Sequence, residues 1–77
     1  MGDSSIGERI RLCRGLLNLS QEALARELRV SKNTVSRWEL GFSPPSLASI
    51  KYLTQRIGPG HAAWLVTGKG ASPAEAA

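Results

Sequence analysis

The segment from Gln21 to Gly41, QEALARELRVSKNTVSRWELG, constrains this chain more than any other, because it reads as two short amphipathic helices joined by a tight turn. Leu24 and Leu28 give the first helix an apolar stripe, and Val35 and Trp38 do the same for the second. Ala25 lies between the two stripes, where a small side chain lets the helices cross closely at a fixed angle. On a helical wheel Lys32, Asn33, Ser36 and Arg37 fall on the side opposite Val35 and Trp38. One face packs and the other stays free. Ser31 is placed to cap the second helix, so Lys32 and Asn33 stand at its start.

The rest of the chain continues in the helical period. Ile6, Ile10, Cys13 and Leu17 predict a first helix, with Asn18 as a left-handed stop and Leu19 closing the apolar contact behind it. Ser20 caps the second helix, with Glu22 near its positive end. The third runs from about Lys32 to Leu40 and stops at Gly41; Phe42 to Pro45 is a loop. Ser46 opens a fourth helix, in which Leu47, Ile50, Leu53 and Ile57 are expected to form an unbroken core stripe up to Gly58 and Pro59. A short fifth helix is expected from His61 to Thr67. The fold class is therefore all-α, a compact bundle of about five short helices. Residues 1–5 are read as a flexible arm, 6–68 as the domain, and the Gly-, Ala-, Ser- and Pro-rich residues 69–77 as a disordered tail or linker.

Composition narrows the chemistry. At 77 residues the chain makes one domain, near the size at which pairing with a second copy often helps stability. A formal charge of +4 and a pI near 10.0 favour an anionic partner. No stretch approaches the length of a membrane span, and the first ten residues lack a signal-peptide pattern. The single cysteine, Cys13, lies in an apolar stripe and reads as a reduced core thiol of a cytoplasmic protein. His61 has no neighbours at ligand spacing, which argues against a metal site. Gly68-Lys69-Gly70 lacks the upstream glycine and following hydroxyl of a phosphate loop, and no nucleophile with a base, carboxylate pair or cofactor fingerprint is present. Neither catalysis nor a cofactor is expected. Trp38 and Trp64 stand at core spacing, while Lys51 and Arg56 belong to a solvated face of the fourth helix. Leu12 and Leu16 lie off the main stripe of the first helix, and either form an exposed patch or drape over neighbours.

Taken in order, IGERIRLCR, LSQEALARELRVSKNTVSRWELG, PPSLASIKYL and AWLVTG resemble the phage repressor and Cro-like helix-turn-helix family, also called the XRE family, over about Ile6 to Gly68. The resemblance implies a lambda repressor-like five-helix domain that binds double-stranded DNA as a homodimer on a near-palindromic operator and regulates transcription in the cytoplasm. It implies base reading in the major groove by Lys32, Asn33, Ser36 and Arg37 at the third helix. It implies DNA-backbone contacts from Gln21, Ser31, Thr34 and Ser43, and a structural pair between Arg14 and Glu39. Val66 is the first candidate for a dimer contact. Arginine and lysine can donate to guanine O6 and N7, and Asn33 can bond adenine, so a half-site with guanines near an adenine is expected.

The chain departs from the family pattern at Arg29, where the turn commonly carries glycine, and at Leu40 and Phe42, which replace polar or basic residues. Ala23 forgoes a capping carboxylate, and the GPGHAAW link is one residue longer than usual. Two other functions compete with a repressor-like regulator. One is an antitoxin-like module that keeps a DNA-binding head but engages a protein partner, with the Leu12 and Leu16 patch as its support. The other is the reading head of a larger ligand-sensing protein.

Overall fold

The structure, a computed structural model, describes residues 5–70 and 72–73. In chain order its elements are α1 (Ile6–Leu16), α2 (Gln21–Leu28), α3 (Lys32–Leu40), α4 (Leu47–Ile57), a 3-10 turn (Pro59–His61) and α5 (Ala62–Thr67). No strand occurs among the described residues. The helical period of the sequence is thus met by an all-α bundle, in which α3 packs against both α1 and α2, and α5 against α1 and α4.

Serine starts all four of the longer helices. Ser5, Ser20, Ser31 and Ser46 each hold extended backbone and accept a hydrogen bond from the amide at the third helical position, satisfying a donor that the helix cannot pair internally. At α1 the bond is reciprocal: the Glu8 amide donates to Ser5 Oγ, and the Ser5 amide donates back to Glu8 Oε1, both at 3.1 Å. The bond from the Ser5 amide, then that from its hydroxyl, hold the Glu8 carboxyl below the usual carboxylate range. Ser5, within the expected arm, is hydrogen-bonded to the helix it caps. The first four residues of that arm lie outside the described residues.

Three helices end in the same way. After α1, α2 and α3 the chain steps into the left-handed region at Asn18, Arg29 and Gly41, and the next amide donates back to a carbonyl in the last turn. The bonds are Leu19 to Arg14, Val30 to Ala25 and Phe42 to Arg37, each 2.9 Å. Arg29, at φ 58° and ψ 42°, occupies a conformation that costs a side-chain-bearing residue about 1–2 kcal/mol.

The core comprises Ile10, Cys13, Leu24, Ala25, Val35, Trp38, Leu53, Trp64 and Leu65. Full burial of each large aliphatic among them contributes about 1.5–3 kcal/mol. Burial also pushes the Cys13 thiol up to about 11, keeping it neutral. The expected stripe of α4 needs correction, because Leu47 is 73% exposed. Steps of three residues slip back about 60° each on a helix, so Leu47 stands about 120° away from Leu53. Ser49 takes its place inside, with its hydroxyl donating to the Ser46 carbonyl at 2.6 Å. Within the expected tail Ser72 is buried. Residues 71 and 74–77 lie outside the described residues.

Two residues of α1 pack in ways that its apolar period does not announce. Gly7 lies against the last turn of α3 so closely that a Cβ there would meet the Trp38 carbonyl oxygen at 2.5 Å and that of Glu39 at 2.6 Å. Arg9 is buried, and its guanidinium donates to the carbonyls of Leu65 at 2.8 Å and Val66 at 3.1 Å, near the end of α5. Cationic donors at that end satisfy carbonyls and oppose the partial negative charge of the helix terminus.

Candidate nucleic-acid interface

The tight turn between α2 and α3 determines what α3 can present. With Arg29 left-handed and Ser31 extended, α3 sets off across α2, and Val35 and Trp38 turn into the core beside Leu24 and Ala25. The opposite side is left to solvent. Lys32, Asn33 and Arg37 are exposed there, and Ser36 is half-buried at the edge of the same face. Neither Lys32 nor Arg37 has a carboxylate at ion-pair distance among the described residues, so both charges face outward uncompensated. Lys32 and Asn33 at the start of α3, with its partial positive charge, and Arg37 in its last turn form a surface suited to an anionic groove.

Ser31 and Thr34 act as a unit at the start of α3. The Thr34 amide donates to Ser31 Oγ at 3.1 Å, and the two hydroxyls are 2.9 Å apart. Two hydroxyls bring two protons and one is used between them, leaving one for an outside acceptor. Ser43, half-buried, lies beyond α3 in the loop before α4.

A second polar group locks α3 to α1 and α2. Arg14 Nε donates to Glu39 Oε2 at 2.7 Å and Nη2 donates to Oε1 at 3.1 Å, a two-pronged pair whose side chains are 17% and 5% exposed. The Glu39 hydrogen bond and charge hold the Arg14 guanidinium yet more firmly protonated. Arg14 Nη1 also donates to the Leu19 carbonyl at 3.0 Å, and Gln21 Nε2 donates to Glu39 Oε1 at 3.0 Å. One carboxylate thus joins three helices, and the Gln21 side chain is oriented by it at the start of α2. Arg11, Ser36 and Leu40 complete the notch around this group.

The sequence-predicted positions separate into three places. Lys32, Asn33, Ser36 and Arg37 share the outer side of α3, with Ser31 and Thr34 at its start; Gln21, Arg14 and Glu39 meet in the neighbouring notch; Ser43 stands apart in the loop. Sequence reasoning missed a contact on the outer side of α3: the Arg37 guanidinium carbon lies 5.9 Å from the centre of the Phe42 ring. Its signal was the pattern Arg-x-x-x-Gly-Phe, in which the residue after a helix-ending glycine turns back on the last turn. Leu12 and Leu16 are 41% and 48% exposed, so they form an outer patch of α1, beside Glu8, Arg11 and Gly15, rather than draping over neighbours. Among the described residues no helix is long and apolar enough to cross a membrane.

Comparison with known proteins agrees with this geometry. The HTH-type transcriptional regulator DicA of Escherichia coli K12 is 48% identical over 42 residues, which make up 54% of this chain and 31% of that protein. The HTH-type transcriptional activator BcrR of Enterococcus faecalis is 38% identical over 48 residues, 62% of this chain and 24% of that one. The chain therefore spans less than a third of the length of these curated relatives. Among solved structures, the P22 c2 repressor in complex with a synthetic operator superimposes with a TM-score of 0.70 at 29% identity, over 86% of this chain and 98% of that one. The helix-turn-helix family model matches residues 10–58, from the middle of α1 to the end of α4, and with the fold and the turn described above the chain belongs to the helix-turn-helix family in its phage-repressor-like form.

Proposed function

We propose that this domain binds double-stranded DNA sequence-specifically and regulates transcription, in the manner of a repressor that occupies its operator. The observation that carries the reading is the outer side of α3, where Lys32, Asn33, Ser36 and Arg37 stand exposed or at its edge on a helix held at a fixed angle by the Arg14–Glu39–Gln21 group. Kinship with a repressor solved on its operator supports it. In this reading α3 enters the major groove, Arg37 and Lys32 donate to guanine edges, Asn33 pairs with adenine, and Ser36 makes a further contact. Gln21, the Ser31–Thr34 hydroxyl pair and Ser43 bind phosphates and set the register. Two copies bind a near-palindromic site with reading helices about 34 Å apart, Val66, half exposed on α5, being the first candidate for the contact between them. Such a protein acts in the cytoplasm, on the nucleoid.

Selection of bound duplexes from a random pool at physiological salt tests the proposal. The expected result is a two-fold symmetric motif with half-sites about one turn apart, and affinity that falls steeply with salt as counterions are released. Weak binding with no enriched motif would refute sequence-specific reading. The exposed Leu12 and Leu16 favour one further reading, in which the same head also engages a protein partner through α1. Recovery of a stoichiometric protein complex that survives Arg37→Ala but not Leu12→Glu would support it.

A further inference from the structure

The contact between Arg37 and Phe42 is produced by the helix end itself. With Gly41 at φ 84°, the Phe42 amide donates to the Arg37 carbonyl at 2.9 Å, and the Gly41 amide to that of Trp38 at 3.2 Å. This double bond pattern places the side chain after the glycine beside the one five residues earlier, a position ordinarily filled by an apolar pair. At the end of α2 the corresponding residues are Ala25 and Val30, an ordinary pair. At the end of α1 they are Arg14 and Leu19, but there the guanidinium is taken up by Glu39 and by the Leu19 carbonyl. In α3 the arginine meets an aromatic ring that is 70% exposed, and no carboxylate competes for it among the described residues.

A ring against the guanidinium restrains the arginine while leaving its N–H edges free to donate. Phe42 stands where the family pattern has a polar or basic residue. We propose that Phe42 is a positioning residue for base recognition by Arg37, restricting the free side chain to the conformation in which its donor fork points into the groove. The inference rests on the DNA-reading function proposed above. Orienting the fork before binding reduces the entropy lost on contact, and the benefit falls on the one base pair that Arg37 reads.

The test measures the affinity of wild type, Phe42→Leu, Phe42→Tyr, Arg37→Ala and the Arg37→Ala/Phe42→Leu double variant for the selected operator and for operators changed at one base pair each. An exposed contact of this kind shifts a conformational population about two- to five-fold, so Phe42→Leu should lose discrimination by that factor at the base pair that Arg37→Ala relaxes, and at no other. Phe42→Tyr, which keeps the ring, should retain it. In the Arg37→Ala background Phe42→Leu should change nothing further. An equal loss on every operator would overturn the proposal and make Phe42 a backbone contact, as would a loss that persists without Arg37. A wild-type protein that selects no motif removes the DNA reading and this inference together, whereas a motif indifferent to Phe42→Leu removes only the role of Phe42.

Discussion

Adding one methyl group at two places on α1 separates close packing from helix propensity. At Gly15 an added Cβ has no heavy atom within 4 Å, so Gly15→Ala gains only the lower unfolded-state entropy of alanine, about 0.5–1 kcal/mol. At Gly7 the same methyl would lie 2.5 Å from the Trp38 carbonyl oxygen and 2.9 Å from the Glu39 carbonyl carbon, where ordinary contact begins near 3.4 Å. The obstacle is backbone, which cannot rotate aside as a side chain can, so α1 and α3 must move apart by a large part of an ångström. Overpacking of this kind costs about 1–3 kcal/mol, and the propensity gain of about 1 kcal/mol in mid-helix is smaller in the first turn. The net expectation for Gly7→Ala is a loss of about 2 kcal/mol. In a domain this small 1 kcal/mol moves Tm by about 4–8 °C, so circular dichroism melts should place Gly7→Ala about 8–16 °C below wild type and Gly15→Ala a few degrees above it. Urea titrations should show the same order with unchanged slopes. Two variants that shift Tm in the same direction would refute the argument, because the close approach of α1 to α3 would then have no energetic weight.

Other substitutions examine the remaining parts. Arg29→Gly should relieve the left-handed strain and raise stability by about 1 kcal/mol, read from the urea midpoint; no gain would mean that the Arg29 side chain contributes as much as its backbone costs. Glu39→Gln should cost about 1–3 kcal/mol by leaving Arg14 without its charged partner, and a melt identical to wild type would show the three-helix junction to be dispensable. Arg37→Ala should lose about 1–3 kcal/mol of binding at one operator position; uniform weakening across sequences would reassign it to a phosphate. Because burial raises the Cys13 thiol from 9.0 to about 11, its neutral form contributes stability that is complete below pH 9 and lost as pH rises through about 11. Over that window wild type should lose stability that Cys13→Ala, which cannot ionise, keeps; parallel pH profiles would contradict a buried thiol.

The local signals of this fold were legible in the sequence, and the non-local ones were not. Ser20, Ser31 and Ser46 mark helix starts and Asn18 and Gly41 mark stops because each acts on backbone within a few residues of itself. The box formed by Ser5 and Glu8 is equally local, but it stands outside the apolar period, which begins only at Ile6. Gly7 and Arg9 gave no comparable sign: their partners lie about thirty and more than fifty positions away, at Trp38 and Glu39 and at Leu65 and Val66. At the interface, spacing placed Lys32, Asn33, Ser36 and Arg37 on the side away from the core. Phe42 carries no such sign, because what it touches depends on how the chain leaves α3 rather than on the helix period.

The Arg9 clamp makes α5 dependent on α1. A helix of six residues does not hold itself together in water, and α5 is anchored by Trp64 and Leu65 in the core and by Arg9 at its final carbonyls. Loosening α5 would take the Leu65 and Val66 carbonyls away from a buried guanidinium, which couples α5 to the first turns of α1. Gly7 and Arg9 stand two positions apart on that stretch, one resting on the last turn of α3 and the other gripping α5. A pulling force applied beyond Gly68 would therefore be passed to the last turn of α3 through less than one turn of α1.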